Sequence, residues 1–236
     1  MKSRDQLQIV GHRGWRTRYP DNTLAGLEAC VGVADMAEID VRRSADGRLV
    51  LSHDPELGGK VVCETPWPEL ERLDLGDGHR PVTLDDVVAA LDGFPLNLEV
   101  KNDPAEPGFE PDHRLGLDTA TLARPGDLLT SFFWPTVDAV RHAFPTVSTG
   151  LLAAPSTDLE SLLGHAVDGG HRTVVPHWSL LVAALGFIDE AHREGIGVVS
   201  WTVNDPEVAL RLAEAGIDAI ITDDPGQMAE TLGAYR

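Results

Sequence analysis

The sequence predicts an α/β fold, a (β/α)8 TIM barrel with a short insertion after its second strand. Short β-branched or apolar runs alternate with longer amphipathic segments along the whole chain, the pattern of parallel strands covered by helices. Eight strand–helix pairs can be marked. The length of 236 residues lies within the range of about 200 to more than 400 over which this barrel occurs.

The expected strands are residues 8–11, 36–41, 96–100, 128–131, 148–152, 173–176, 197–202 and 219–222. Helical patterns are expected at 23–33, 84–91, 134–143, 159–167, 180–194, 206–215 and 226–232, with a weaker one at 112–123. Asn22 or Thr23 can cap the first helix, and Asp205-Pro206 reads as a cap followed by proline at the first helical position. Asp46-Gly47 is a hairpin signal and implies a small extra strand, residues 48–52, after the second barrel strand. Residues 55–82 are Pro-rich and irregular and form the expected insertion, with few hydrophobic anchors. Residues 102–111 read as a polar loop. No low-complexity linker interrupts the chain, so residues 1–236 are expected to form one domain.

Composition sets further limits. The segment Met1–Val10 has no apolar core of the kind a secretory signal needs. No stretch approaches the roughly 20 apolar residues of a membrane span. A soluble, cytoplasmic protein is the expectation. Cys30 and Cys63 match neither a metal spacing nor a disulfide framework, and Cys30 reads as a small core residue. The formal net charge of −19 repels nucleic acid and anionic membrane surfaces, so neither is an expected partner. The oligomeric state is left open.

Catalytic residues of such barrels sit at the C-terminal ends of the strands, and inward residues alternate with outward ones. In the second strand Ala37, Ile39 and Val41 share the outward parity, so Glu38 and Asp40 point inward. In the third, Leu96, Leu98 and Val100 face out, whereas Asn97, Glu99 and Lys101 face in. Like charges about 5 Å apart at an effective dielectric of about 20 cost roughly 3 kcal/mol per pair. Three carboxylates at one rim therefore read as a site for a hard divalent cation, Mg²⁺ or Ca²⁺. The alternative is ordinary charged loop ends with no shared site.

His12 ends the first strand at inward parity, beside that site. Arg13 offers a planar fork suited to phosphate, and Gly11 and Gly14 allow close backbone approach. His53 follows the extra strand. Two histidines can act as general base and general acid if they flank a reacting centre. Lys101 is either a phosphate contact or an ion-pair partner holding Glu99, roles that are compatible. Trp201, inward on the seventh strand, either stacks on an alcohol or glycerol moiety or fills the barrel top.

These residues bring in a resemblance. The runs His12-Arg13-Gly14, Pro20-Asp21-Asn22-Thr23, Glu38-Ile39-Asp40-Val41, Asp46-Gly47 and His53-Asp54-Pro55 are similar to those of the glycerophosphodiester phosphodiesterase family. So are Leu98-Glu99-Val100-Lys101, Ser131-Phe132, Trp201-Thr202-Val203-Asn204 and Thr222-Asp223-Asp224-Pro225. A single His-Arg-Gly is weak, but this ordered set spans nearly the whole chain. The resemblance implies a TIM barrel and a divalent metal on Glu38, Asp40 and Glu99. It implies His12 and His53 as the acid–base pair and Arg13 and Lys101 as phosphate contacts. It also implies hydrolysis of small-molecule glycerophosphodiesters to glycerol 3-phosphate and an alcohol, through a cyclic phosphate. The net charge would repel such a diester, so a local positive site is expected from the basic residues. Asp21 stands where the family usually has Glu, and its shorter side chain leaves open any contact to the metal or to Arg13.

Three competing functions are weighed. A lysophospholipase D or sphingomyelinase D would use the same histidine–metal logic but needs an apolar lip, for which Val61, Val62, Trp67 and Leu70 are the candidates. A non-catalytic phosphodiester-binding barrel would be signalled by a lost ligand or histidine, and none is lost. Metal-assisted proton abstraction would want a lysine base, and only Lys60 and Lys101 lie beyond Lys2.

Overall fold

The structure is a computed structural model and describes residues 6–236; the first five residues of the Met1–Val10 segment lie outside the described residues. Eight strands form the barrel: β1 (Gln8–Gly11), β2 (Met36–Arg43), β3 (Leu96–Val100), β4 (Leu128–Ser131), β5 (Ser148–Ala153), β6 (Thr173–Pro176), β7 (Gly197–Ser200) and β8 (Ala219–Thr222). Each is parallel to its neighbour, and β8 returns to β1 in a register that runs from Gln8 opposite Ala219 to Gly11 opposite Thr222. Closure brings the last strand beside the first, so residues some 210 positions apart in sequence share one rim.

Strand alternation divides the interior into two layers. Ala37, Ile39, Val41, Leu96, Leu98 and Val100 join the large apolar cluster between barrel and helices. Fully burying a leucine such as Leu98 contributes about 1.5–3 kcal/mol. Inside the barrel a smaller cluster of Val10, Leu152, Val175, Val199, Ala219 and Ile221 fills the axis, with Met36 and Trp201 packed on it. The polar inward residues are satisfied low in the barrel: Thr130 Oγ1 donates to Asn97 Oδ1 at 2.9 Å.

Most of the expected strands match closely, but two helical expectations and the end of one strand need correction. The first helix covers only Leu24–Glu28, not 23–33; the rest of that span is a turn segment, with Gly32 at φ +81°. Thr23 is its cap, accepting from Gly26 N–H at 3.3 Å, and Asn22 is used elsewhere. The expected 180–194 helix is two helices, Trp178–Ala183 and Gly186–Arg193. Apolar spacing runs through the break, so periodicity does not reveal it. At the break Ala184 leaves helical geometry (φ −145°, ψ 60°), two residues before Gly186, a residue of low helical propensity. The seventh strand stops at Ser200, so Trp201 lies just past its end.

After β2 the chain makes the expected hairpin, pairing Val41, Arg42 and Arg43 antiparallel with Leu51, Val50 and Leu49. The insertion is more ordered than its sequence suggests. It carries a two-strand pairing of Glu56–Leu57 with Lys60–Val61 and a short helix, Trp67–Leu70. Val62 and Leu70 are buried against Val50, with Leu57, Trp67 and Leu73 packed around them. Two of the four residues of the conceivable lipid lip are thus interior. No helix among the described residues is long and apolar enough to cross a membrane.

Candidate active site at the C-terminal rim of the barrel

Glu38 and Asp40 of β2 lie opposite Asn97 and Glu99 of β3 in register. That pairing stacks the three carboxylates at one end of the barrel. One oxygen from each of Glu38, Asp40 and Glu99 falls within 4.8 Å of the others, and all three residues are buried. Glu38 Oε1 and Asp40 Oδ1 are buried without a hydrogen-bond partner among the described residues. Asp40 Oδ1 has only the ion-pair contact of Lys101 Nζ at 3.1 Å, and Glu38 Oε1 accepts no hydrogen bond. Under-satisfied buried carboxylate oxygens are costly, and an all-oxygen cluster of this kind fits a hard divalent cation.

The carboxylates are strongly perturbed. Burial, and then the neighbouring Asp40 and Glu99, push the Glu38 carboxyl well above the usual range, against the pull of Arg13. Burial also opposes ionisation of Asp40, but Lys101, Arg13 and His53 outweigh it and hold that carboxyl below its ordinary value. Asn22 clamps Asp40 from both sides: its Nδ2 donates to Asp40 Oδ2 at 2.8 Å and its Oδ1 accepts the Asp40 N–H at 3.1 Å.

Arg13 ties the first strand end to this cluster. Its backbone N–H donates to Glu38 Oε2 at 2.9 Å, and its Nη1 donates to Asp21 Oδ2 at 2.8 Å. Its Nε lies 3.2 Å from Asp40 Oδ2 without the alignment of a hydrogen bond. Asp21 therefore reaches Arg13 despite its shorter side chain, and it also accepts from Arg16 Nε at 2.8 Å. Arg13 and Asn22 both adopt positive φ, +55° and +57°, and strain of this sort gathers where the surroundings over-determine a site. Gly14, at φ +89°, lies so close to the first helix that a Cβ there would meet the Gly26 carbonyl carbon at 2.7 Å.

Lys101 lies largely buried between two of the acids, 11% exposed, its Nζ 2.5 Å from Glu99 Oε1 and 3.1 Å from Asp40 Oδ1. Burial disfavours its charge, but Glu99 and Asp40 more than compensate and its pKa is raised. Beside Glu99 and Lys101 a cleft of about 160 Å³ opens toward Ser131, Phe132 and Phe133. Trp201 stands near its edge: its ring meets Phe132 edge-on at 5.2 Å and His177 at 5.0 Å. Its indole N–H donates to Val175 carbonyl at 3.0 Å, so it both caps the inner cluster and presents an aromatic face.

His12 follows β1, its N–H donating to Thr222 carbonyl at 2.8 Å. Its Nδ1 lies 2.6 Å from Asp223 Oδ1, which leaves Nε2 for exchange of a proton. Burial would push the Asp223 carboxyl up, but the bonds to His12 and Asn204 and the charge of Arg16 outweigh it and hold it at about 2. Asn204 Nδ2 donates to Asp223 Oδ2 at 2.6 Å. His53 has a parallel arrangement, with Nδ1 2.7 Å from Asp54 Oδ1. Its carbonyl accepts two bonds from Arg42, at 2.6 and 3.1 Å, and Ser52 N–H donates to Asp40 carbonyl at 3.0 Å. Asp223, Asn204, Asp54 and Asn22 are the residues that reasoning from the sequence did not assign; each sits in or beside a run quoted above, adjacent to an assigned residue in the fold or the chain.

Comparison with known proteins agrees with this picture. The model of the glycerophosphoryl diester phosphodiesterase family matches residues 12–227. A glycerophosphodiester phosphodiesterase of Caldanaerobacter subterraneus subsp. tengcongensis is 27% identical over 233 residues, covering 92% of this chain and 94% of its own. A Silicibacter pomeroyi DSS-3 structure, provisionally assigned as a glycerophosphoryl diester phosphodiesterase, superimposes with a TM-score of 0.84 at 26% identity, covering 98% of this chain and 94% of that one. An Oleispira antarctica phosphodiesterase, solved with the product sn-glycerol-3-phosphate, gives 0.83 at 24% identity, covering 97% of each chain. With its barrel topology and a family match over nearly its full length, the chain belongs to the glycerophosphoryl diester phosphodiesterase family of hydrolases.

Proposed function

We propose that the protein hydrolyses small, water-soluble glycerophosphodiesters to glycerol 3-phosphate and an alcohol, as a single-domain cytoplasmic enzyme dependent on Mg²⁺ or Ca²⁺. The observation that carries this reading is the buried trio Glu38, Asp40 and Glu99, in which Glu38 Oε1 and Asp40 Oδ1 accept no hydrogen bond. Those three residues would hold the cation. When bound, a divalent cation supplies Lewis-acid stabilisation of phosphoryl oxygens and a template for the attacking hydroxyl.

The chain's own residues supply the rest. Arg13 and Lys101 bind phosphoryl oxygens, and Trp201 stacks on the glycerol or alcohol portion. In the first step the glycerol 2-hydroxyl attacks phosphorus. One histidine of the His12/His53 pair takes its proton at Nε2. The other protonates the alcohol oxygen as its bond to phosphorus breaks. A five-membered cyclic phosphate of glycerol results. Water then attacks phosphorus and gives its proton to the second histidine, while the first protonates the departing 2-oxygen. Roles exchange and both histidines return to their starting states. Asp223 and Asp54 each hold one Nδ1, which fixes the tautomer and directs proton traffic through Nε2.

The solved Oleispira antarctica relative with its sn-glycerol-3-phosphate product supports the choice of product. Burial of Val62 and Leu70 speaks for small diesters over lysophospholipids or sphingomyelin. The test is release of glycerol 3-phosphate from glycerophosphocholine, first in EDTA and then with Mg²⁺ or Ca²⁺ restored. Release only with metal is expected. Folded protein that releases none under any metal would overturn the reading, and cleavage of lysophospholipid alone would replace it with the lipid-directed one.

A further inference from the structure

A second cluster of coordinating side chains lies away from the rim, on the outer helical wall. Asp138 is carried by helix Trp134–Ala143, His165 by helix Leu159–Gly169, and His171 by the turn that leads into β6. His165 Nε2 lies 2.9 and 3.2 Å from the two Asp138 oxygens, and His171 Nε2 lies 2.9 Å from Asp138 Oδ1. One ligand atom from each residue falls within 4.8 Å of the others.

We propose that Asp138, His165 and His171 form a second metal site, for a borderline divalent ion such as Zn²⁺, that clamps two outer helices to the barrel wall. Two imidazole nitrogens and a carboxylate oxygen are the donor set of zinc-type ions and differ from the all-oxygen cluster at the rim. Zn–N and Zn–O bonds of about 2.0–2.2 Å place tetrahedral ligands about 3.3 Å apart. The His–Asp138 separations of 2.9–3.2 Å need only a few tenths of an ångström of expansion, and the two histidine nitrogens lie within 4.8 Å of each other. The side chains of His165 and Asp138 can give that much, being 36% and 41% exposed.

Two further observations show a site built around the ring of His171. The ring is wholly buried, and its Nδ1 lies 2.8 Å from Thr149 Oγ1 of β5. A hydroxyl either donates or accepts. Thr149 can therefore support His171 with a proton on Nε2, donating to Asp138, or with Nδ1–H and a bare Nε2 turned to a cation. Outer partners of this kind orient metal-bound histidines. Gly169 is the second observation: a Cβ there would meet His171 Nε2 at 2.7 Å and Cδ2 at 2.8 Å. Glycine at 169 is thus what admits the ring. A water entering from the adjoining hollow, which Arg141, His142 and Asp168 also line, completes a fourth position. Arg141, the nearby opposing charge, is engaged through Nη1 with Pro145 carbonyl at 2.5 Å.

The test uses the full chain, stripped with chelator and then kept in excess Mg²⁺ to fill the rim. Co²⁺ is titrated in as a visible probe, followed by Zn²⁺ competition. One equivalent of Co²⁺ should bind despite the Mg²⁺, with a visible absorption band, and Zn²⁺ should displace it and raise Tm. His165→Ala, at a half-exposed position, should weaken that binding at least tenfold. Gly169→Ala should do the same by displacing the His171 ring. Glu99→Gln should leave the band in place. A band that survives unchanged in His165→Ala, or that Mg²⁺ abolishes in wild type, would overturn the proposal.

Discussion

Replacing Asp223 with asparagine changes one oxygen for an amide nitrogen and tests two roles at once. In the wild type, Asp223 accepts from Asn204 through one oxygen and holds His12 Nδ1 through the other, each at 2.6 Å. An asparagine has a single acceptor oxygen. If it serves His12, its NH2 opposes the Asn204 amide; if it serves Asn204, its NH2 faces Nδ1 and forces the proton of His12 onto Nε2. The stability effect follows from linkage. A carboxyl with an ordinary value of 3.8, held at about 2 in the fold, is stabilising by about 2.5 kcal/mol, at about 1.4 kcal/mol for each pH unit. Because the folded value is the lower one, that stabilisation is complete above about pH 4 and is lost as pH falls toward 2. The gap between wild type and Asp223→Asn, measured by urea unfolding at several pH values, should therefore be about 2.5 kcal/mol at pH 6 and shrink toward zero near pH 2. Turnover should fall about a hundredfold, the low end for a mispositioned acid–base group. A stability gap that does not change with pH would refute the linkage argument. Turnover within threefold of wild type would refute the claim that Asp223 sets the His12 tautomer for catalysis.

His12→Ala and His53→Ala should each lower turnover at least about a hundredfold; near-normal turnover in either, by the glycerol 3-phosphate assay, removes that histidine from the mechanism. Glu99→Gln should weaken divalent-metal binding at least about tenfold, since loss of even an outer partner costs about 10–100-fold. Calorimetric titration showing unchanged affinity rules Glu99 out as a ligand. Gly14→Ala forces a Cβ onto Gly26 backbone at a φ of +89°, and should cost about 2–3 kcal/mol in conformational strain and overlap. An unfolding midpoint equal to wild type would show that the β1 turn relaxes freely.

Much of the barrel is legible in the sequence because strand period and helix period leave separate marks. Ala37, Ile39 and Val41 against Glu38 and Asp40 state both the strand and its facing direction. The same parity on β3 delivers Glu99 and Lys101 to the same rim. What escaped has a physical cause in each case. The break between Ala183 and Gly186 keeps an apolar spacing on both sides. Residues 55–82 form their own small core only through contact with Val50, a residue of the preceding hairpin. Asp223 and Asn204 serve His12 because β8 closes onto β1, and closure is a property of the whole sheet that no local pattern carries. The Asp138, His165 and His171 cluster escaped for the same reason, being drawn from two helices and a turn.

The electrostatics of the rim also revise an expectation. The basic residues were expected to make a local positive site for an anionic diester against a net charge of −19. Arg13 is paired with Asp21 and Asp40, and Lys101 with Glu99 and Asp40. Near His12, Arg16 is shared between Asp21 and Asp223. Five carboxylates, those of Asp21, Glu38, Asp40, Glu99 and Asp223, thus face three fixed cations, an excess of two negative charges if all are ionised. Burial first, and then the charges of Asp40 and Glu99, raise the Glu38 pKa, the direction that lessens this excess. A divalent cation on the same oxygens would offset both excess charges and allow Glu38 to ionise. In the proposed function the cation is therefore needed before a phosphodiester can approach Arg13 and Lys101 at all, and substrate affinity should fall together with turnover when it is withdrawn.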